Sequence, residues 1–542
     1  MKQISLLLNC LILLLYSCKG PEREIEKNVF RYNEAANITS LDPAFARDQS
    51  IIWATNQLYN GLVQLNERLE VEPCIAYNWE ISRDGLIYTF HLRRDVFFHD
   101  SPVFPDIKGR RVVAGDFVYS FNRIIDPKIA SPGAWVFNLV KKNDGKFDFK
   151  APDDSTFVVR IIKPFPPFLG ILSMQYCSVV PREAVDYYAN EFRRNPVGTG
   201  PFIFKTWKEG IKLVLIKNAN YFESENGIRL PFLKAVSITF QSDKQSAFLE
   251  FIKGKIDFMS GIDPTYKDEV LDRQGKLKHI FSDKIQLITQ PYLNTEYLAI
   301  NVDSLSAGAK NSPLLNKKLR KAINYAFDRH KMIHYLRNNI GTPGIFGIIP
   351  QGLPSFDSSL VYYDYDPVRA RKLLNEIGYP GGKGLPEIIL TSTSDYLDLC
   401  KYIQHQVAEQ GIDLKIEISP PASVKELKAQ AKLSFFRASW IADYPDAENY
   451  LSLFYSKNFC PQGPNYTHFS NTKFDSLYEL AMSTVSDSMR YDMYRKMENI
   501  IMEDAPVMIL YYDQVLRFVQ KNITGIGSNP LNLLVLKRVK KL

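Results

Sequence analysis

The chain has 542 residues, more than one hydrophobic core normally serves, so two or three domains are expected. Hydrophobic residues make up 45% and aromatic residues 13%, including 30 Tyr and 34 Phe, a composition that excludes a disordered chain. The net charge of +8 is scattered, and its one dense cluster, Lys537 to Lys541, reads as a solvated terminus, so no nucleic-acid partner is expected.

Lys2 precedes a short apolar run, Leu6 to Leu15, too brief to span a bilayer by itself. It reads as an export signal covering residues 1–17. The run ends in Leu15-Tyr16-Ser17-Cys18, which resembles the lipobox at which bacterial lipoproteins are cleaved and their cysteine acylated. The resemblance implies lipidation of Cys18, a tether over residues 18–27, and a location in the periplasm or cell envelope at a membrane surface. A plain signal peptide with incidental Cys10 and Cys18 is the alternative. The other four cysteines, Cys74, Cys177, Cys400 and Cys460, show no CxxC or metal-ligand spacing, so neither a disulfide framework nor a zinc site is indicated. A Cys400 to Cys460 bridge is left open.

Leu86 to Leu92 alternates in side-chain character, as a half-buried strand does, and Phe157 to Ile162 reads the same way. Leu213 to Ile216 and Ala235 to Phe240 are two further strand candidates, followed by a helix from about Lys244 to Lys253 that Gly254 ends. Ser312-Pro313 predicts a capped helix start, with Leu315, Leu319, Ala322, Ile323, Ala326 and Phe327 on one apolar stripe. Asp366-Pro367 opens another helix, ended by Gly378. From Glu387 the predicted order is strand, helix (Tyr396 to Gln410), strand (Asp413 to Ile418), helix and strand (Leu433 to Ala438), the second helix opening on a Ser423 to Glu426 capping box. That alternation implies βαβ units and a sheet covered by helices, an α/β fold. Ligands of such sheets bind beyond the carboxyl ends of strands, which points to the segment Ser439-Trp440-Ile441-Ala442-Asp443-Tyr444-Pro445-Asp446-Ala447-Glu448-Asn449-Tyr450.

This segment resembles the ligand loop of the family 5 extracellular solute-binding proteins, the dipeptide- and oligopeptide-binding group. Further matches are Leu41-Asp42-Pro43, Trp79 with Ser82-x-Asp84-Gly85-Leu86-x-Tyr88-Thr89-Phe90, Phe98-His99-Asp100 and Arg123. They continue with Asn195-Pro196-Val197-Gly198-Thr199-Gly200-Pro201-Phe202, Arg320-x-Ala322-Ile323-x-Tyr325-Ala326-Phe327-Asp328-Arg329, and Asn465-Tyr466 with Phe469-Ser470-Asn471. Each is weak alone; in this order over about 450 residues they are specific.

The resemblance implies a two-lobed periplasmic-binding-protein fold of the Venus-flytrap type, hinged, with an extra subdomain in the first lobe. Residues 28–57, 195–289 and 513–542 are expected to form the core of lobe I, residues 58–194 the extra subdomain, and residues 290–512 lobe II. It also implies a monomer that captures short peptides between lobes and delivers them to an ABC permease and ATPase complex. The family's ammonium-binding aspartate falls on Asp443, with Trp440 in the cleft wall and Ser439 at the backbone contact. A carboxylate suits that task, since a buried ammonium needs both an opposite charge and hydrogen-bond acceptors. On the residues alone, Asp443 reads equally as a turn former before Pro445, and Asp446 as a helix N-cap.

No enzyme, metal or cofactor is expected. Gly198-Thr199-Gly200 lacks the Lys-Ser/Thr of a phosphate loop, Gly381-Gly382-Lys383-Gly384 reads as a solvent turn, and Lys331 stands between His330 and His334 where a metalloprotease helix needs glutamate. His99-Asp100 has no nucleophile to join it. The alternatives in view are the same fold with an oligosaccharide, nickel or haem-type ligand, and a surface receptor or chaperone lipoprotein without an importer.

Overall fold

The computed structural model describes residues 28–263 and 266–542. The export signal, Cys10, Cys18 and the tether lie outside these residues. Most of the described chain is built on one twisted sheet.

The sheet begins with β1 (Val29–Glu34), which is followed by helix α1 (Gln49–Leu58). A detour then builds a separate antiparallel sheet from β2 (Ala76–Ile81), β3 (Ile87–Leu92), β4 (Phe149–Asp153) and β5 (Thr156–Arg160), in the order β2-β3-β5-β4. Helix α2 (Ala114–Ile125) covers it, and Phe117 and Phe121 bring their rings to 5.9 and 5.4 Å from Phe157. The main sheet resumes with β6 (Phe202–Lys208), β7 (Lys212–Lys217), β8 (Ala235–Phe240) and β9 (Phe258–Ser260), with helix α3 (Lys244–Ile252) between the last two. Asp243 caps α3 by accepting from the Ser246 N–H at 2.7 Å.

Next come the long strand β10 (Ile285–Ile300) and the helices α4 (Lys317–Tyr325) and α5 (Arg329–Arg337). Beyond these are α6 (Pro367–Glu376), β11 (Ile388–Ser392), α7 (Leu397–Ala408), β12 (Leu414–Ile418), α8 (Pro421–Ala429) and β13 (Phe435–Ile441). Helix α9 (Asp487–Asp504) leads into the second long strand, β14 (Val507–Gln520). The main sheet runs β6-β7-β8-β1-β9-β14-β10-β13-β11-β12, and β14 also carries the short strand Thr342–Pro343. β11 pairs in parallel with β12 and β13, as βαβ units require, and β10 and β14 run antiparallel from Ile285 opposite Gln520 to Ala299 opposite Val507. The result is a two-lobed α/β fold, one lobe on the β1, β6–β9 end and the other on the β11–β13 end.

The structure differs from the sequence reading at several element ends. At Ser312 a short turn, Pro313–Leu315, forms first; Asn316 is extended and caps α4 through the Lys318 N–H at 2.9 Å, so Leu315 leaves the stripe that Leu319, Ala322 and Ile323 bury. Helix α8 starts at Pro421 with no capping side chain, because a proline pre-set for the first helical position starts the helix two residues before Ser423. β5 stops at Arg160, two residues short of Ile162. β13 runs on to Ile441, since β10 is long enough to pair with Ser439 and Trp440 past the point where the apolar alternation ends.

Several separated sequence motifs are single structural joints. Asp42 and Arg123 form a buried two-pronged ion pair at 2.9 and 2.5 Å. The buried His99 has Nε2 2.9 Å from the Gly200 carbonyl and Nδ1 3.4 Å from the Gly198 N–H, and burial lowers its pKa to about 4, so it is a neutral clamp. Gly198 and Gly200 are needed there: a Cβ at either would come within 2.0 to 2.4 Å of the Leu58 backbone. Cys74, Cys177, Cys400 and Cys460 are buried free thiols.

Glu498 of α9 is buried and accepts the Ile349 N–H at 2.9 Å, and burial pushes its pKa up to about 8. The unfolded value is ~4.3, so its contribution to stability is complete below that pH and is lost as pH rises toward 8. Glu498→Gln is therefore expected to raise Tm by a few degrees at pH 8 and by little at about pH 4. A melting-temperature difference that stays constant across that range would show that Glu498 does not titrate in this way.

Candidate functional site

The loop after β13 carries three acids, and the fold sends them to three different environments. Asp446 turns into the second lobe, where Tyr494 donates to it at 2.8 Å, the Glu448 N–H donates at 2.9 Å, and Arg490 pairs with it at 3.1 Å. Glu448 is buried and accepts the Tyr444 and Tyr478 hydroxyls. Both carboxyls have raised pKa values, chiefly through burial. The helix N-cap expected at Asp446 falls instead on Ala447; Asp446 accepts the Glu448 N–H one residue earlier and adds a buried ion pair with a residue 44 positions away.

Asp443 is placed differently. It lines a cavity of about 410 Å³ between the lobes, shared with Trp53, Trp135, Tyr176 and Tyr292. It is the single acid among the lining residues, and Arg47 is the single cation. Among the described residues no basic side chain pairs with Asp443, whereas Arg47 lies 3.8 Å from Asp48. The Asp443 side chain is open to the water of the cavity, yet the protein walls around it hold off bulk solvent. Its pKa is therefore raised, with the Asn449 amide opposing the shift. Tyr176 faces it: burial and then the Asp443 charge lift the phenol to about 12.

Trp440 and Ser439 lie on β13, paired with Thr295 and Glu296 of β10. Trp440 is half-buried against the core and stands outside the residues lining this cavity. Its indole N–H donates to Asn449 Oδ1 at 2.7 Å, and the same oxygen accepts the Asp443 N–H at 3.3 Å. The Trp440 indole and the Asp443 backbone are thus linked through one buried amide. The loop also reaches the first lobe: the Tyr444 ring lies 6.3 Å from Trp135, and Pro445 sits against Gly170, whose added Cβ would lie 3.3 Å from it.

The sequence reading did not identify the opposite wall, which comes from Arg47, Trp53, Trp135 and Tyr176, hundreds of residues from Asp443 in the chain. The only signal for it was the aromatic richness of the composition. Nor was Asn449 singled out, although it lies within the segment quoted. His330 and His334 contribute nothing here, and the described residues contain no cluster of three or more metal-ligating side chains. No helix among the described residues is long and apolar enough to cross a membrane.

A two-lobed α/β protein with a ligand-sized cavity between the lobes, lined by aromatic faces and one unpaired acid, has the architecture of a solute-binding receptor. Residues 70–459 match the family model described as bacterial extracellular solute-binding proteins, family 5 Middle, and the chain belongs to that family, whose members are non-catalytic binding components of ABC-type importers. It is 28% identical over 496 residues to heme-binding protein A of Haemophilus influenzae, covering 88% of this chain and 86% of that protein. It is 27% identical over 523 residues to the glutathione-binding protein GsiB of Escherichia coli O1:K1 / APEC, covering 95% and 94%. Its structure is similar, with a TM-score of 0.72 and 25% identity, to the periplasmic binding protein DppA of Helicobacter pylori in complex with the peptide STSA, covering 95% of this chain and 99% of that one.

Removing the shared acceptor should loosen this loop. Asn449→Ala leaves the Trp440 N–H without its partner and is expected to cost about 1–3 kcal/mol of stability. The measurement is denaturant unfolding followed by tryptophan fluorescence; an unchanged midpoint would mean that the amide does not hold the loop.

Proposed function

We propose that this chain is the lipid-anchored receptor of an ABC importer for short peptides, and that Asp443 receives the peptide's α-ammonium. The observation that carries the reading is the unpaired Asp443 carboxylate in a cavity whose walls are otherwise aromatic, apolar or uncharged polar apart from Arg47. An acid that the cavity walls shield from bulk solvent and that has no cation partner is poised to gain from a ligand that brings one. The aromatic rings around it suit varied apolar side chains, since contact with a ring face demands no fixed hydrogen-bond pattern. Trp440 stands behind the cavity and acts as a positioning residue through Asn449, and Ser439 presents backbone next to it. Cys18 supplies the anchor, and the crossing strands β10 and β14 serve as the hinge between lobes bounded near residues 290 and 512.

Two of the similar proteins have peptide names: DppA holds the peptide STSA, and GsiB is named for glutathione. Glutathione also carries an α-ammonium, so it meets the same demand. A second reading, a flat haem-type ligand, draws on the aromatic walls Trp53, Trp135, Tyr176 and Tyr292 and on the 28% identity to heme-binding protein A. The two readings part at the acid, because stacking on the rings needs no carboxylate.

The test is titration of the purified full chain with peptides whose N-terminus is free or acetylated. Asp443→Asn is expected to weaken binding of the free-amine peptide by ~2 kcal/mol or more, about thirtyfold. Since the apo carboxyl has a raised pKa and the bound one is an ion pair, native affinity should fall as pH drops through the apo value, and the variant should lose that dependence. Equal affinity for free and acetylated peptides would refute the ammonium assignment. Haem binding that survives Asp443→Asn, with no peptide bound, would move the function to the second reading.

A further inference from the structure

Far from the cleft loop, the second lobe brings a thiol, an imidazole and a carboxylate into line. Cys460 Sγ lies 3.2 Å from His468 Nε2, and His468 Nδ1 lies 3.1 Å from Asp303 Oδ2. Asp303 follows β10, while Cys460 and His468 lie between β13 and the helix Thr472–Met482. An ionised carboxylate only accepts hydrogen bonds, so the neutral imidazole keeps its proton on Nδ1 and turns the Nε2 lone pair toward the thiol. The Phe459 ring, parallel to the imidazole within 1° at 4.6 Å, holds the ring plane. Nucleophile, base and orienting acid thus stand in the order that covalent chemistry uses. They do not converge on one point as metal ligands do, because thiol and carboxylate occupy opposite nitrogens.

The cluster is near the surface. His468 and Asp303 keep 12% and 27% of their side chains exposed, and Pro461 and Gln462, next to the thiol in the chain, are exposed. Cys460 itself is covered, and burial raises its pKa, so it rests as the protonated thiol. Two other titratable groups face it. The Lys428 carbonyl lies 3.5 Å from Sγ, and the Lys428 ammonium, lowered to about 8 by burial, sits 4.6 Å over the Tyr466 ring. Tyr466 is raised by burial and then by Cys460. Among the described residues, no hydrogen bond joins a histidine to Cys74, Cys177 or Cys400.

We infer that Cys460 is a reactive thiol that His468, oriented by Asp303, activates toward low-molecular-weight disulfides. His468 Nε2 takes the thiol proton as Sγ attacks one sulfur of the disulfide. A bond forms between Sγ and that sulfur, the original S–S bond breaks, and the leaving thiolate takes the proton back from the imidazolium. Cys460 and one half of the reagent end as a mixed disulfide, and the other half leaves as a reduced thiol. Disulfides are the chemical class that suits the location: the family is extracellular, where a free thiol meets oxidised sulfur instead of a reducing pool. The cluster has no second cysteine to resolve the adduct, so the modification persists.

The experiment treats the purified full chain with hydroxyethyl disulfide and follows each cysteine by peptide mass mapping. Cys460 is expected to react at least about tenfold faster than Cys74, Cys177 and Cys400, whose labelling also reports global unfolding. Without a base, the rate follows the thiolate fraction and falls about tenfold per pH unit below the thiol's pKa. With His468 taking the proton the fall is shallower, less than about threefold between pH 8 and 7. His468→Ala is expected to restore the tenfold slope. Asp303→Asn, which no longer imposes one tautomer, is expected to move the profile the same way. Labelling of Cys460 no faster than that of the other three overturns the inference. So does a folded His468→Ala variant with the native rate and slope. Should that variant unfold, the native profile decides, since a tenfold fall per unit excludes the base. None of these outcomes touches the peptide reading.

Discussion

Two strands carry the chain between its lobes, and the rest of the molecule depends on how they pair. β10 and β14 are largely buried where they pass between the lobes, and each backbone N–H and C=O there needs a partner. Running antiparallel, they supply one another along most of their length. The ladder is irregular between Pro291 and Thr295, where a proline has no N–H to give, and again between Glu296 and Tyr297. Such breaks add twist and bending without unzipping the pair. Tyr292 sits inside the first break and lines the cavity, so the irregular stretch of strand also forms the apex of the cleft.

Polar groups gather around this crossing, while the lobes keep their apolar cores to either side. Arg337 donates to Asp513 at 2.7 Å and to the Tyr511 hydroxyl at 2.9 Å, and its guanidinium lies 4.0 Å over the Tyr511 ring. Arg437 reaches Glu296 at 2.5 Å and stacks 3.6 Å over the Tyr396 ring. Ion pairs of this kind contribute little net stability once desolvation is counted. Their value here is directional, since they fix which residues of β10, β13 and β14 lie side by side. That register sets where β13 ends, and with it the point from which the Asp443 loop starts.

Much of the architecture was legible because it rests on local rules. Proline and glycine punctuation, capping acids and apolar periodicity locate α6, α7, β11 and β12 within a few residues, and the parallel pairing follows from their alternation. What failed were element ends decided by partners far away. β13 extends to Ile441 because β10 is there to pair with it, and nothing in the residues 439–441 announces this. The loop acids show the same limit: Asp443, Asp446 and Glu448 are similar in chemistry and close in sequence. Their separation depends on Arg490 and Tyr494, which arrive from α9, and on Tyr478, which arrives from the helix Thr472–Met482. The first-lobe half of the cavity was illegible for the same reason, since Trp53 and Trp135 carry no local mark that distinguishes a wall from a core.

The sorting of these acids also explains how one loop can be rigid and receptive at once. Burying Asp446 and Glu448 costs desolvation energy, which three tyrosine hydroxyls and one arginine offset with directed partners. That anchoring leaves the intervening residues little freedom, and Asn449 fixes the Asp443 backbone from the side. Asp443 is thus presented by a framework whose own charges are already satisfied, so no neighbouring cation among the described residues competes for it. A carboxylate held this way has little conformational entropy left to lose, and the surrounding framework leaves its charge without a counter-ion.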